Sequence, residues 1–170
     1  MGVGYRPRTE IYRFRALVVF LAVLAAILLQ IFLRRYAAFL SVLDLPLLVV
    51  IYFGISRRNP SSGLLLGLTV GVLQDLLSEN YVGLYGMAKT VVGFVASSLS
   101  ARIETDRPAP RLLLVFLFVH FHQFLYASVE RLRPEGAADY LSLQVLEAAL
   151  VNALVGMVVF HLLDRFRKST

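Results

Sequence analysis

The sequence predicts an all-α integral membrane protein, a compact bundle of six transmembrane helices with both termini in the cytoplasm. Composition is the first reason. Of 170 residues, 58% are hydrophobic and only 16% are charged, whereas an ordinary soluble domain carries about 25% charge and about 45–50% apolar residues. A chain this short lacks the interior to hide so much apolar surface, and its mean hydropathy is +0.73. The second reason is segmentation. Six apolar runs follow one another, each close to the ~20 helical residues that a bilayer core takes. The third is charge placement, which sets orientation. No long repeat, low-complexity tract or linker interrupts the chain, so residues 1–170 read as one domain.

The first run is 16–33, with Gln30 its strongly polar residue, and it ends in Arg34 and Arg35. A secretory signal would have a shorter apolar core and a small-residue cleavage site, so this run reads as a retained helix. The second, 39–55, contains Asp44 and Pro46. The third, 60–77, starts at Asn59 and Pro60, a cap followed by proline in the first turn. The fourth, 84–101, holds Lys89; the fifth, 112–129, holds His120, His122 and Gln123; the sixth, 143–163, holds Glu147, Asn152 and His161. The longest connection, Glu130 to Ser142, is too short to be a domain.

Lys and Arg in the tails and loops separate into two sets. The amino tail, second loop, fourth loop and carboxyl tail carry twelve (Arg6, Arg8, Arg13, Arg15; Arg57, Arg58; Arg102, Arg107, Arg111; Arg165, Arg167, Lys168). The other three loops carry four (Arg34, Arg35, Arg131, Arg133). The richer side is the cytoplasmic one. The net charge of +6 is therefore a topology signal rather than a mark of nucleic-acid binding.

Ionisable groups at membrane depth are costly and usually face a protein interior or a water-filled cavity. Asp44, Asp75, Lys89 and Glu147 all fall in the outer third of the membrane on the derived topology, with Gln30 level with them and His122 and Gln123 somewhat deeper. Polar side chains from all six helices are thus expected to converge just below the outer surface. Helix 3 carries Gly63, Gly67, Gly71 and Asp75 at four-residue spacing, and helix 4 carries Gly86, Lys89, Gly93 and Ser97. Such stripes let backbones approach closely. The short loop between them makes the two helices antiparallel neighbours, and Asp75 is expected to pair with Lys89.

Chemistry is sparse. Cysteine is absent, which removes disulfides, thiolate metal sites and a cysteine nucleophile. His120 and His122 point about 200° apart on a helix and cannot share a metal. No HExxH, GxSxG or P-loop pattern occurs. No catalytic residue, cofactor or metal is expected.

The stretch from Asp44 to Ser97 resembles the MreD family of rod shape-determining proteins. The resemblance rests on Pro46 and Tyr52 in helix 2, the basic turn Arg57–Arg58, then Gly67, Gly71 and Asp75, then Gly83 in the short loop and Gly93 in helix 4. It implies a non-enzymatic subunit of the bacterial cell-elongation machinery in the cytoplasmic membrane. It implies partnership with an MreC-like single-span protein and association with the MreB filament, a RodA-type glycosyltransferase and a class B transpeptidase. It also implies a fold similar to the S components of energy-coupling factor vitamin transporters. That similarity supplies the competing expectation, a vitamin-like ligand in the polar cluster. Ala22 and Ala26 have the Ala-x3-Ala spacing of such components. Against it, the loops SENYVG and ERLRPEGAADYLS offer little to close a lid, and there is no Trp to stack on a ring. On the scaffold reading, the Glu130–Ser142 loop touches an extracytoplasmic domain, while Arg57, Arg58, Arg102, Arg107 and the carboxyl tail meet anionic lipid or cytoplasmic partners.

Overall fold

Six helices follow one another in the computed structural model, which describes residues 14–36, 42–78, 81, 83–100, 107–133 and 141–167. They are α1 (Ala16–Tyr36), α2 (Leu45–Arg57), α3 (Pro60–Leu77), α4 (Leu84–Ser100), α5 (Pro108–Glu130) and α6 (Leu143–Asp164). No strand occurs among the described residues. Four of the helices, α1, α3, α5 and α6, are long and apolar enough to cross a membrane. Their outward faces are apolar too: Leu17, Phe20, Leu28, Leu65, Leu113 and Leu154 are each more than half exposed. So much bare apolar surface fits a lipid environment rather than water.

The centre of the bundle is α2. It is a short apolar helix of 13 residues, about 20 Å long at about 1.5 Å per residue. Every residue from Leu45 to Ser56 is buried, and α2 packs against each of the other five helices. A helix that is apolar on all sides belongs inside. Around it α3, α4, α5 and α6 pack in sequence order, while α1 lies against α2.

The expected helix 2 began at Phe39, and here the structure differs. Residues 39–41 lie outside the described residues, and α2 begins only at Leu45. Asp44 is therefore not inside the helix. It is the N-cap, its carboxylate accepting from the Leu47 N–H at 3.0 Å, and Pro46 sits in the first turn. A capping Asp outcompetes helical continuation because its side chain satisfies a donor that the helix leaves unpaired. At its far end α2 stops at Arg58, whose left-handed backbone (φ 52°) turns the chain into α3. Asn59 then caps α3 through the Ser62 N–H at 3.2 Å. The fifth helix starts earlier than expected, at Pro108, because prolines 108 and 110 fit a first turn without needing donors.

The tightest contact is between α3 and α4. Their backbones touch at the glycines. A Cβ on Gly67 would collide with the Lys89 carbonyl, one on Gly71 with the Tyr85 carbonyl, and one on Gly93 with the Gly63 carbonyl. A Cβ on Gly86 would meet the Val72 side chain at 3.1 Å and Asp75 Oδ2 at 3.4 Å, with no backbone collision. Gly67→Ala and Gly71→Ala are therefore expected to lower thermal stability in detergent by about 1–3 kcal/mol, the range for overpacking. Gly86→Ala should cost clearly less. Equal losses at all three positions would contradict the backbone contact.

Candidate functional site

One end of the bundle holds the ends of α1, α3 and α5 and the starts of α2, α4 and α6, and the polar side chains gather there. The segment from Val42 to Leu45, which leads into α2, is held from three directions. Gln30 on α1 donates through Nε2 to the Leu43 carbonyl at 2.8 Å and accepts from the Leu45 N–H at 2.9 Å. Asn152 on α6 accepts from the Asp44 N–H at 2.9 Å and donates to the Val42 carbonyl at 2.7 Å. Lys89 on α4 donates from Nζ to Asp44 Oδ2 at 2.5 Å. Lys89 is completely buried, whereas the Asp44 side chain keeps 15% of its surface.

The expected Asp75–Lys89 pair does not form; Lys89 takes Asp44 instead. Asp75, near the end of α3, faces the N-terminus of α4 and caps it. It accepts from the N–H groups of Gly83 at 2.8 Å, Tyr85 at 3.0 Å and Gly86 at 2.9 Å. The unpaired donors at a helix start carry partial positive charge, so they satisfy the carboxylate without an ammonium. Gly83, at φ 109°, bends the loop so that its own N–H joins in.

The polar group that α6 contributes also differs from expectation. Glu147 is exposed on that helix, and buried Asn152 supplies the contact. An amide both donates and accepts, so it can hold a bent backbone that an acceptor-only carboxylate cannot. Pro46 is buried in the first turn of α2, and Gly67, Gly71 and Gly93 lie in the α3–α4 contact just described.

Beside this clasp lies a cavity of about 320 Å³ bordered by Arg34, Asp44, Tyr85, His122, Gln123 and Asn152. His122 is buried with Nε2 unpartnered, and its ring lies parallel to Tyr85 at 5.9 Å. Tyr85 in turn lies under the Lys89 ammonium, 5.2 Å from ring to nitrogen, and its hydroxyl is 3.4 Å from the Arg34 guanidinium. His120 lies on another face, against Phe116. Among the described residues no group of His, Cys, Asp or Glu could hold a metal ion.

The opposite end of the bundle holds a network that sequence reasoning missed. The Tyr52 hydroxyl donates to Asp164 Oδ1 at 2.9 Å, Arg111 pairs with Asp164 Oδ2 at 2.6 Å, and Arg167 pairs with Oδ1 at 2.8 Å. Phe14, Phe53 and Phe160 pack edge-on around Tyr52. The available signal was one acid, Asp164, within an otherwise basic carboxyl tail. Arg102 and residues 134–140, most of the loop expected to meet a partner, lie outside the described residues.

The sequence profile of the family described as rod shape-determining protein MreD matches residues 10–166. No curated protein and no solved structure matches the chain.

The geometry predicts which acid is coupled to Lys89. Lys89→Met and Asp44→Asn should each lower stability in detergent, on the order of 3–5 kcal/mol for breaking a buried pair. The double variant should lose much less than their sum. Lys89→Met with Asp75→Asn should be closer to additive. Additivity for Asp44 and coupling for Asp75 would reverse the assignment.

Proposed function

The chain belongs to the MreD family, membrane components of bacterial rod-shape determination, and from that premise we propose that it is a non-enzymatic scaffold of the cell-elongation machinery. The observation that carries this reading is how its polar groups are used. Asp44, Lys89, Asp75, Gln30 and Asn152 bind one another or backbone at the polar end of the bundle. Groups engaged in holding helices together are not poised to transfer protons or attack a substrate. They support a rigid surface on which another membrane protein can rest.

In this reading the protein crosses the cytoplasmic membrane six times, with both termini inside, as one domain. The clasp around Asp44 then lies toward the outer face. An MreC-like single-span protein docks there, in reach of the Glu130–Ser142 loop. MreB, a RodA-type glycosyltransferase and a class B transpeptidase belong to the same assembly. The basic groups Arg57, Arg58, Arg107 and Arg165 face anionic lipid or cytoplasmic partners, a contact worth about 1 kcal/mol per residue.

The cavity supports a second reading, an S component that binds a vitamin-like molecule. Its volume of about 320 Å³ is at the lower edge for a ligand site, and His122, which borders it, has a buried nitrogen without a partner. A pull-down from native membranes in mild detergent separates the two. The scaffold predicts recovery of an MreC-like protein, weakened when residues 135–139 are deleted. Recovery of an ATPase pair with a coupling subunit, or of a stoichiometric small molecule, would favour the second reading.

Orientation is checked separately, and the absence of native cysteine makes it direct. Single cysteines at Arg58 and Arg165 should resist a membrane-impermeant maleimide in intact spheroplasts and react in inverted vesicles. A cysteine at Tyr81 should behave in the opposite way.

A further inference from the structure

The side of the bundle where α1 passes α3 contains an amphipathic crevice that the clasp does not use. Helix α1 rests on α2 and stands off from α3. Between them runs a largely apolar channel of about 330 Å³, lined from α1 by Val19, Phe20 and Val23 and from α3 by Leu66, Val70 and Leu73, with Arg57 at its far end. Ile27 borders both this channel and a second cavity of about 400 Å³ at the polar end. That second cavity is bordered by Arg34, Arg35, Gln74 and Ser78. Gln74 is 3% exposed, and neither its Oε1 nor its Nε2 has a partner. A buried amide left unsatisfied is costly, and Gln74 borders this cavity. Gln30 beside it is already fully engaged with the Leu43–Leu45 backbone.

We propose that this crevice is a binding site for one anionic glycerophospholipid with a polyol head, of the phosphatidylglycerol type, its acyl chain between α1 and α3 and its head between Arg34, Arg35 and Gln74. Each part of the lipid answers one part of the wall. The apolar channel takes a hydrocarbon chain: from Ile31 to Ala16 is about 22 Å along α1 at about 1.5 Å per residue, long enough for one extended acyl chain. The two guanidiniums match a phosphodiester, which they can bind in bidentate fashion. Gln74 needs a group that both accepts and donates, and a head-group hydroxyl does both. A choline or ethanolamine head would set a second cation against the arginines. A partner's transmembrane helix, a cylinder about 10 Å across, is much wider than the single acyl chain that a channel of about 330 Å³ admits.

The test is native mass spectrometry and thermal unfolding of the full chain in detergent, with phosphatidylglycerol or phosphatidylcholine of identical chains added. The expected result is selective retention of one phosphatidylglycerol and a rise in unfolding temperature with that lipid alone. Arg34→Gln and Arg35→Gln should each weaken retention about fivefold, while Arg165→Gln, at the opposite end, should leave it unchanged. Gln74→Leu supplies a readout of opposite sign. It removes an unpartnered amide, so it should raise stability in lipid-free detergent while reducing the stabilisation that phosphatidylglycerol gives. Equal retention of the two lipids, or equal effects of Arg165→Gln and Arg35→Gln, would overturn the proposal. So would a Gln74→Leu protein that phosphatidylglycerol stabilises as fully as the parent.

Discussion

The short ion pair between Lys89 and Asp44 is the constraint on which the rest of the bundle depends. A fully buried ammonium is tolerable only with a partner, so α4 must present Lys89 where Asp44 can reach it. Asp44 in turn must sit outside the helix it caps, because its other oxygen holds the Leu47 N–H. That fixes where α2 begins. Gln30 and Asn152 then fasten the adjoining backbone to α1 and α6. The Asp44 carboxylate thus links α2 to α4, and the backbone around it links α2 to α1 and α6. Asp75 adds a fifth helix by tying α3 to the start of α4.

A central helix only 13 residues long explains why polar groups appear at both ends of the bundle. At about 20 Å it is shorter than a ~30 Å hydrocarbon core, so the chain entering and leaving it turns at depth. Backbone at that depth must be satisfied by protein, since lipid offers no hydrogen bonds. The Gln30–Asn152–Lys89 clasp does this at the start of α2. At the other end the Arg58 turn closes the helix, and Tyr52 reaches Asp164, which also holds Arg111 and Arg167. Both networks draw on α6, which explains why that helix carries buried Asn152 and a partly buried Asp164 in an otherwise apolar run.

Most of the architecture was legible in the sequence, because apolar runs and their punctuation report helices directly. The third helix was read at its observed limits from Asn59–Pro60 at one end and the loss of apolar residues at the other. The α3–α4 glycine spacing likewise foretold a close approach. Partner choice was less legible. Asp75 and Lys89 are near in sequence and on facing helices, so pairing them was the economical inference. Reading Asp44 as a residue inside a helix hid its role as a cap, and a cap is free to turn its second oxygen toward α4. Glu147 was credited because it is charged, yet the bent segment before α2 needed a group that both donates and accepts, and Asn152 fits. The Tyr52–Asp164 contact joins residues more than 100 positions apart, a distance that local patterning does not reach.

The same distribution bears on how the protein could act. The buried ammonium of Lys89 is paired, so the interior resists rearrangement there: separating Lys89 from Asp44 would strand it. The surfaces left to vary are the outward apolar faces and the crevice beside α1. Helix α1 is fastened to the rest chiefly through α2, by Gln30 at one end and by Phe14 against Tyr52 and Phe53 at the other. It takes no part in the α3–α4 contact or in the ion pair. Gln30 thus makes α1 the helix that joins this outer edge of the bundle directly to the start of α2.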